Sequence, residues 1–108
     1  AQAFWQEFRS KAAAVLEQCD VLAMPTSTVA AAPIEKQPRD HDVERRKNCC
    51  IFNFSGQPAI SVPCGFTAAG LPVGLMLAGG MFEDAKVFRF ARAFEEATPW
   101  HERYPGVA

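Results

Sequence analysis

The stretch Ala59-Ile60-Ser61-Val62-Pro63-Cys64-Gly65-Phe66-Thr67-Ala68-Ala69-Gly70-Leu71-Pro72-Val73-Gly74-Leu75-Met76-Leu77-Ala78 decides the fold. Two short apolar runs, 59–64 and 73–78, flank a connection, 65–72, that contains glycine, alanine and proline. This punctuation predicts two antiparallel strands joined by a long loop rather than a tight turn. The second run is apolar on both faces, so it is expected to lie under helices instead of forming a half-wet sheet. Pro63 has no backbone donor and belongs at a strand end or a bulge. Gly79-Gly80 ends the second strand.

The flanks supply the other layers. Downstream, Glu83 to Ala97 reads as a helix in which Val87, Phe90, Ala91 and Phe94 form one apolar stripe, widened by Phe88. Glu83 and Asp84 fall in its first turn, where a carboxylate complements the helix dipole. Thr98-Pro99 ends it, and the tail 100–108 is expected as coil packed on the body through Trp100 and Tyr104. Upstream, the charged run Arg39 to Lys47 reads as a solvated face. A helix is expected to start near Asp40 or Asp42, either of which can cap it, and to run through Ile51 and Phe52 toward Gly56. Thr26 to Gln37 lacks any period and reads as a loop, and Val21 to Met24 is a short strand stopped by Pro25. Ala1 to Gln18 is an amphipathic helix with Phe4, Phe8, Ala12, Val15 and Leu16 on its apolar face. The order is helix, strand, helix, β-hairpin, helix, an α/β layered class.

Composition removes several functions. The 108 residues carry 11 Lys and Arg against 12 Asp and Glu, a formal charge of -1, so no phosphate backbone is expected as a direct partner. No apolar run reaches the roughly 18 residues needed to cross a bilayer, and the start shows no signal-peptide pattern. The first residue is Ala1, not Met, so the numbering is expected to begin inside a longer protein. Cys19, Cys49, Cys50 and Cys64 form no C-x-x-C pair, and neither His41 nor His101 completes a zinc pattern. They are read as reduced, mostly buried thiols, which points to the cytoplasm. A Cys–His nucleophile pair from Cys49 or Cys64 with His41 or His101 is the minor alternative. Neither phosphate-cradling glycine motif is present, nor is the G-x-S-x-G elbow, and no cofactor or metal is expected.

The residues 53–66, NFSGQPAISVPCGF, are followed by Gly70-Leu71-Pro72-Val73-Gly74-Leu75-Met76-Leu77, then Phe82-Glu83-Asp84, then Thr98-Pro99-Trp100-His101. Upstream stand Cys19-Asp20-Val21-Leu22-Ala23-Met24-Pro25-Thr26 and Ala32-Pro33-Ile34. In this order the set resembles the C-terminal end of an amidase signature hydrolase, from about Phe4 to about Pro105. That family includes amidases and the amidase component of the tRNA-dependent glutamyl amidotransferase, and the sequence leaves the choice between them open. The resemblance implies a mixed sheet covered by helices, of which residues 1–108 form a single C-terminal piece.

The resemblance also implies a division of labour. Amidase signature enzymes cleave a carboxamide C–N bond with a serine nucleophile, a second serine in a cis peptide, and a lysine acting through it. The Gly/Ser-rich stretch that carries those serines has no match here, nor has the lysine, and Ser10, Ser27, Ser55 and Ser61 stand in other contexts. The chain alone is therefore expected to be inactive. By resemblance Pro25, Thr26, Asn53 and Phe54 line the acyl-binding channel of the complete enzyme. The implied partners are the remainder of the amidase chain and, in the whole enzyme, a small amide substrate. Glycines 56, 65, 70 and 74 equally serve as turn and close-packing positions. The alternative is a free-standing, non-catalytic binding module of the same fold, whose open strand edges and apolar faces favour a homodimer.

Overall fold

The computed structural model describes residues 1–36 and 39–106, with no side-chain account of residues 36 and 39–42. Five main elements follow the expected order: helix α1 (Gln2–Leu16), strand β1 (Leu22–Pro25), helix α2 (Arg39–Ser55), the hairpin β2 (Ala59–Phe66) and β3 (Pro72–Ala78), and helix α3 (Asp84–Ala97). Short 3-10 turns occupy Ile34–Lys36 and Trp100–Glu102. The first of these interrupts what reads in sequence as one unbroken loop. Helix α2 runs without a break to Gly56, whose N–H bonds the Phe52 carbonyl at 2.8 Å. The capping roles expected of Asp40 and Asp42 lie outside the side chains described.

The sheet has the order β1-β3-β2, and both pairings are antiparallel. The last strand in sequence is thus the central one, and its apolar side chains serve two cores. Leu77 packs with Val62, Val87 and Ala91 under α3, with Ile60, Leu75 and Phe94 around them. Met76 and Ala78 pack with Phe52 on the α2 side, with Leu22, Met24 and Cys49 around them. The period-two alternation of a strand sends Leu75 and Leu77 one way and Met76 and Ala78 the other. The β2–β3 register slips between Pro63 and Gly65. Pro63 therefore sits beside a bulge, where its missing N–H is tolerated.

Helix α1 joins the body through the end of α2. The Trp5 indole Nε1–H donates to the Phe54 carbonyl at 2.8 Å, and the Gln57 amide Nε2–H donates to the Ala12 carbonyl at 3.2 Å. The buried Ser55 hydroxyl donates to Gln57 Oε1 at 2.8 Å, which fixes the orientation of that amide. Phe8 and Phe54 meet edge to face with ring centroids 5.1 Å apart. The rest of the expected apolar face of α1 is more open than its pattern suggests: only Leu16 is buried, and Phe4 remains 65% exposed.

Several apolar residues differ from expectation in the same direction. None of the four cysteines is buried: Cys19 and Cys50 are exposed, Cys49 and Cys64 half-buried. On α3, Val87 and Ala91 are buried but Phe88 and Phe90 are exposed. Trp100 packs edge to face on Phe66, while Tyr104 stands free of the body. The whole chain exposes 7860 Å², against about 5900 Å² for a compact protein of this mass. Its radius of gyration is 15.8 Å, where about 13 Å is typical of this length. The three strands and three helices leave much of the apolar surface that the sequence supplies uncovered.

Two glutamates carry shifted acidities. Glu83 is held below the usual carboxylate range chiefly by the Lys86 ammonium, at 2.6 Å, with the Gly80 N–H adding to the effect. Glu44 is lowered in the same way by Lys47, with help from the Thr28 hydroxyl. A carboxylate whose pKa is depressed by folding adds stability above its unfolded value, about 4.3, and that stability is lost as pH falls through the folded value. The melting temperature should therefore drop as pH falls from about 5 toward 3. The Glu83→Gln/Glu44→Gln double variant should show a flatter acid limb in a series of thermal melts.

Candidate functional site

An open concavity lies where β1 ends against β3 and α2. Pro25 ends β1 and cannot extend the ladder by donation, yet the Thr26 N–H still bonds the Gly74 carbonyl at 2.9 Å. This keeps Thr26 in strand register. Its hydroxyl then points to the same face as Met24 and lies 2.5 Å from the Ser61 hydroxyl of β2. The two side chains meet across β3 because the intervening residue is Gly74. A Cβ placed there would stand 2.6 Å from Ser61 Oγ and 2.8 Å from Thr26 Oγ1, too close for either to remain. One hydroxyl donates to the other, so the pair keeps one O–H hydrogen that this bond does not use.

Helix α2 supplies the opposite wall and is fastened to the strand end by polar contacts. Asn48 Nδ2–H donates to the Pro25 carbonyl at 2.7 Å, and the Cys49 thiol lies 3.5 Å from the Thr26 carbonyl. One turn earlier, the Thr28 hydroxyl donates to the Glu44 backbone carbonyl at 2.8 Å. Ser27 closes a local turn with its hydroxyl 2.8 Å from the Val29 carbonyl. Together these contacts hold the segment after β1 away from the sheet and leave an open groove of about 1060 Å³. Its walls combine Pro25, Thr26, Arg45, Asn48, Ser61 and Gly74 with apolar Val73. The lining offers hydroxyl, amide and guanidinium groups on an apolar background, which suits a small polar ligand.

The four residues singled out from sequence fall in two places. Pro25 and Thr26 line the groove. Phe54 is instead part of the α1–α2 contact, through its ring and its carbonyl, and Asn53 is exposed on the same turn of α2. Ser61, Asn48 and Gly74 complete the groove without having been assigned to it from sequence. Gly74 carried the available signal, since a glycine inside an apolar strand marks a close approach from a neighbour.

Among the described residues no three His, Cys, Asp or Glu side chains cluster as metal ligands. The Cys–His alternative finds little geometric support. His101 Nδ1 is buried without a hydrogen-bond partner, while the Cys49 thiol is directed at the Thr26 carbonyl. His41 lies outside the side chains described. No described helix is long and apolar enough to cross a membrane.

A three-stranded antiparallel sheet with helices on both faces and a polar groove at the end of an edge strand is a layered α/β arrangement. The amidase family pattern matches residues 1–88. The GatA-type component of the glutamyl-tRNA(Gln) amidotransferase of Ralstonia pickettii is 38% identical over 106 residues, covering 94% of this chain and 21% of that one. The crystal structure of the corresponding amidotransferase component from Thermotoga maritima superposes with a TM-score of 0.79 at 37% identity, covering 94% of this chain and 23% of that one. A bacterial aryl acylamidase of the amidase signature family superposes with a TM-score of 0.75 at 26% identity, over 94% and 23% of the two chains. The chain belongs to the amidase family, as the C-terminal resemblance implied, and it spans about a fifth of the length of the curated relatives it matches.

The hydroxyl pair makes a direct test of the groove's construction. Gly74→Ala should destabilise the chain by about 1–3 kcal/mol, the usual range for overpacking. The same substitution combined with Ser61→Ala and Thr26→Ala should recover much of the loss, because both clashing hydroxyl oxygens are gone. Denaturant unfolding followed by circular dichroism measures both. An unaltered midpoint for Gly74→Ala would mean that the two hydroxyls do not meet over this strand.

Proposed function

We propose that this chain is the C-terminal portion of an amidase signature hydrolase and is inactive alone. In the complete enzyme an activated serine attacks a carboxamide carbonyl, ammonia or an amine leaves, and water releases the acyl group. The serine, its cis-serine partner and the lysine belong to sequence outside this chain. What supports the reading is the match of residues 1–88 to the amidase family, together with a groove between β1 and α2 lined by polar groups. Its contribution is a wall, with Pro25 shaping the strand end and Thr26 presenting a hydroxyl to the amide or acyl part of the substrate. Asn53 and Phe54 would influence the channel through the seating of α1 on α2. No metal or organic cofactor enters this scheme. Four free cysteines fit a reducing, cytoplasmic setting.

A second reading, a non-catalytic module that pairs with its own copy, draws support from the outer edges of β1 and β2, at the two margins of the sheet. Light scattering on concentrated protein distinguishes it, since a monodisperse monomer would contradict that reading.

Ammonia release from a small primary amide tests the main one. The 108-residue chain should release none above background, and the protein from the full reading frame should be active. Thr26→Val in the longer protein should raise KM several-fold with a smaller change in kcat. Turnover by the short chain itself would overturn the proposal.

A further inference from the structure

The connection from β3 to α3 is a short turn held from every side, with an aromatic ring aimed outward. Gly79 donates its N–H to the Pro58 carbonyl at 3.0 Å. The Met81 side chain rests 3.8 Å from the Cβ position of Gly56, at the end of α2. Glu83 bonds back to Gly80 twice, its N–H to the Gly80 carbonyl at 3.0 Å and its Oε2 accepting the Gly80 N–H at 3.2 Å. A Cβ at Gly80 would lie 2.7 Å from that carboxylate oxygen, so the clamp requires glycine there. Lys86 pins the other Glu83 oxygen at 2.6 Å and reaches toward Asp20 at 4.0 Å.

Between these anchors stands Phe82. It has φ of +64°, which makes it the one non-glycine residue with positive φ among those described. It is also 90% exposed. Left-handed backbone is unfavourable for a bulky L-residue and persists only where the surroundings impose it. Here the surroundings impose it on a side chain that gains no burial within this chain. Neither the turn nor the core of the isolated chain benefits from a phenyl group at this position.

We infer that Phe82 is a preorganised aromatic anchor that inserts into an apolar socket on the part of an amidase polypeptide outside residues 1–108. The inference rests on the amidase reading above and names the surface through which this segment joins the rest. Two observations select that occupant. The chain spans about a fifth of its relatives' length, so most of a family member's surface lies outside it. It also exposes about a third more area than a compact chain of its mass, an excess that matches one partner's share of a large obligate interface. A rigid aromatic side chain loses little freedom on insertion, which is why such residues dominate interface energetics.

The test compares Phe82→Gly with the unaltered chain in two measurements. In the first, thermal unfolding of the 108-residue chain, Phe82→Gly should leave the melting temperature unchanged or raise it, because glycine relieves the positive φ. In the second, titration against the separately expressed upstream polypeptide, it should weaken association at least tenfold. A residue needed only for the turn would lower the melting temperature, and that result would overturn the inference. Association insensitive to Phe82→Gly would also overturn it while leaving the amidase reading intact. Failure of the unaltered chain to associate at all would also overturn the inference, and ammonia release by the longer protein separates that outcome from failure of the amidase reading. Loss of self-association instead would assign the socket to a second copy of the chain and contradict the occupant named here.

Discussion

Everything in this molecule depends on burying β3 from both sides. Its side chains alternate between a core shared with α3 and a core shared with α2, so neither helix layer could be removed without exposing half of the strand. The central position also sets the pairing: β1, far away in sequence, must come to one side and β2 to the other. The Pro63 bulge and the loop 67–71 let β2 follow the twist of β3 without breaking the register at Leu75, Met76 and Leu77. The price of building a domain around one two-faced strand is a thin body with much apolar surface left outside.

The groove follows from the same arrangement. Gly74 is the one residue of β3 with no side chain, and the hydroxyls of Thr26 and Ser61 fill that space from either side. Helix α2 lies close because its Cys49 and Phe52 pack toward Met76 and Ala78, and that proximity lets Asn48 reach the Pro25 carbonyl. Packing therefore decides where the polar groups stand, and the polar groups then hold the loop that forms the rim. The result is a groove walled by polar groups on an apolar background, in a chain that spans about a fifth of its relatives' length.

Much of the fold was legible because strong local signals agreed. The paired apolar runs, the glycines between them and the uninterrupted pattern of α3 each predicted the element that is present. Pro63 announced its bulge through its missing donor. Burial was less legible. The patterns of Phe4, Phe88, Phe90 and the cysteines mark these residues as apolar, but periodicity cannot tell whether a covering surface belongs to the same chain. Of the groove's lining, Pro25 and Thr26 were singled out through a family resemblance, while Ser61 and Asn48 reach it only through a three-strand register and a helix docking. The positive φ of Phe82 had no signature in sequence, since phenylalanine is an unfavourable choice for it.

Native-state hydrogen exchange on the 108-residue chain tests most directly whether the two-faced β3 is the centre on which the rest is built. Amides of Leu75, Met76, Leu77 and Ala78 should be the slowest to exchange and should open only with global unfolding. Amides of α1 and of the outward edges of β1 and β2 should exchange orders of magnitude faster. Exchange from β3 as rapid as from those edges would contradict the account.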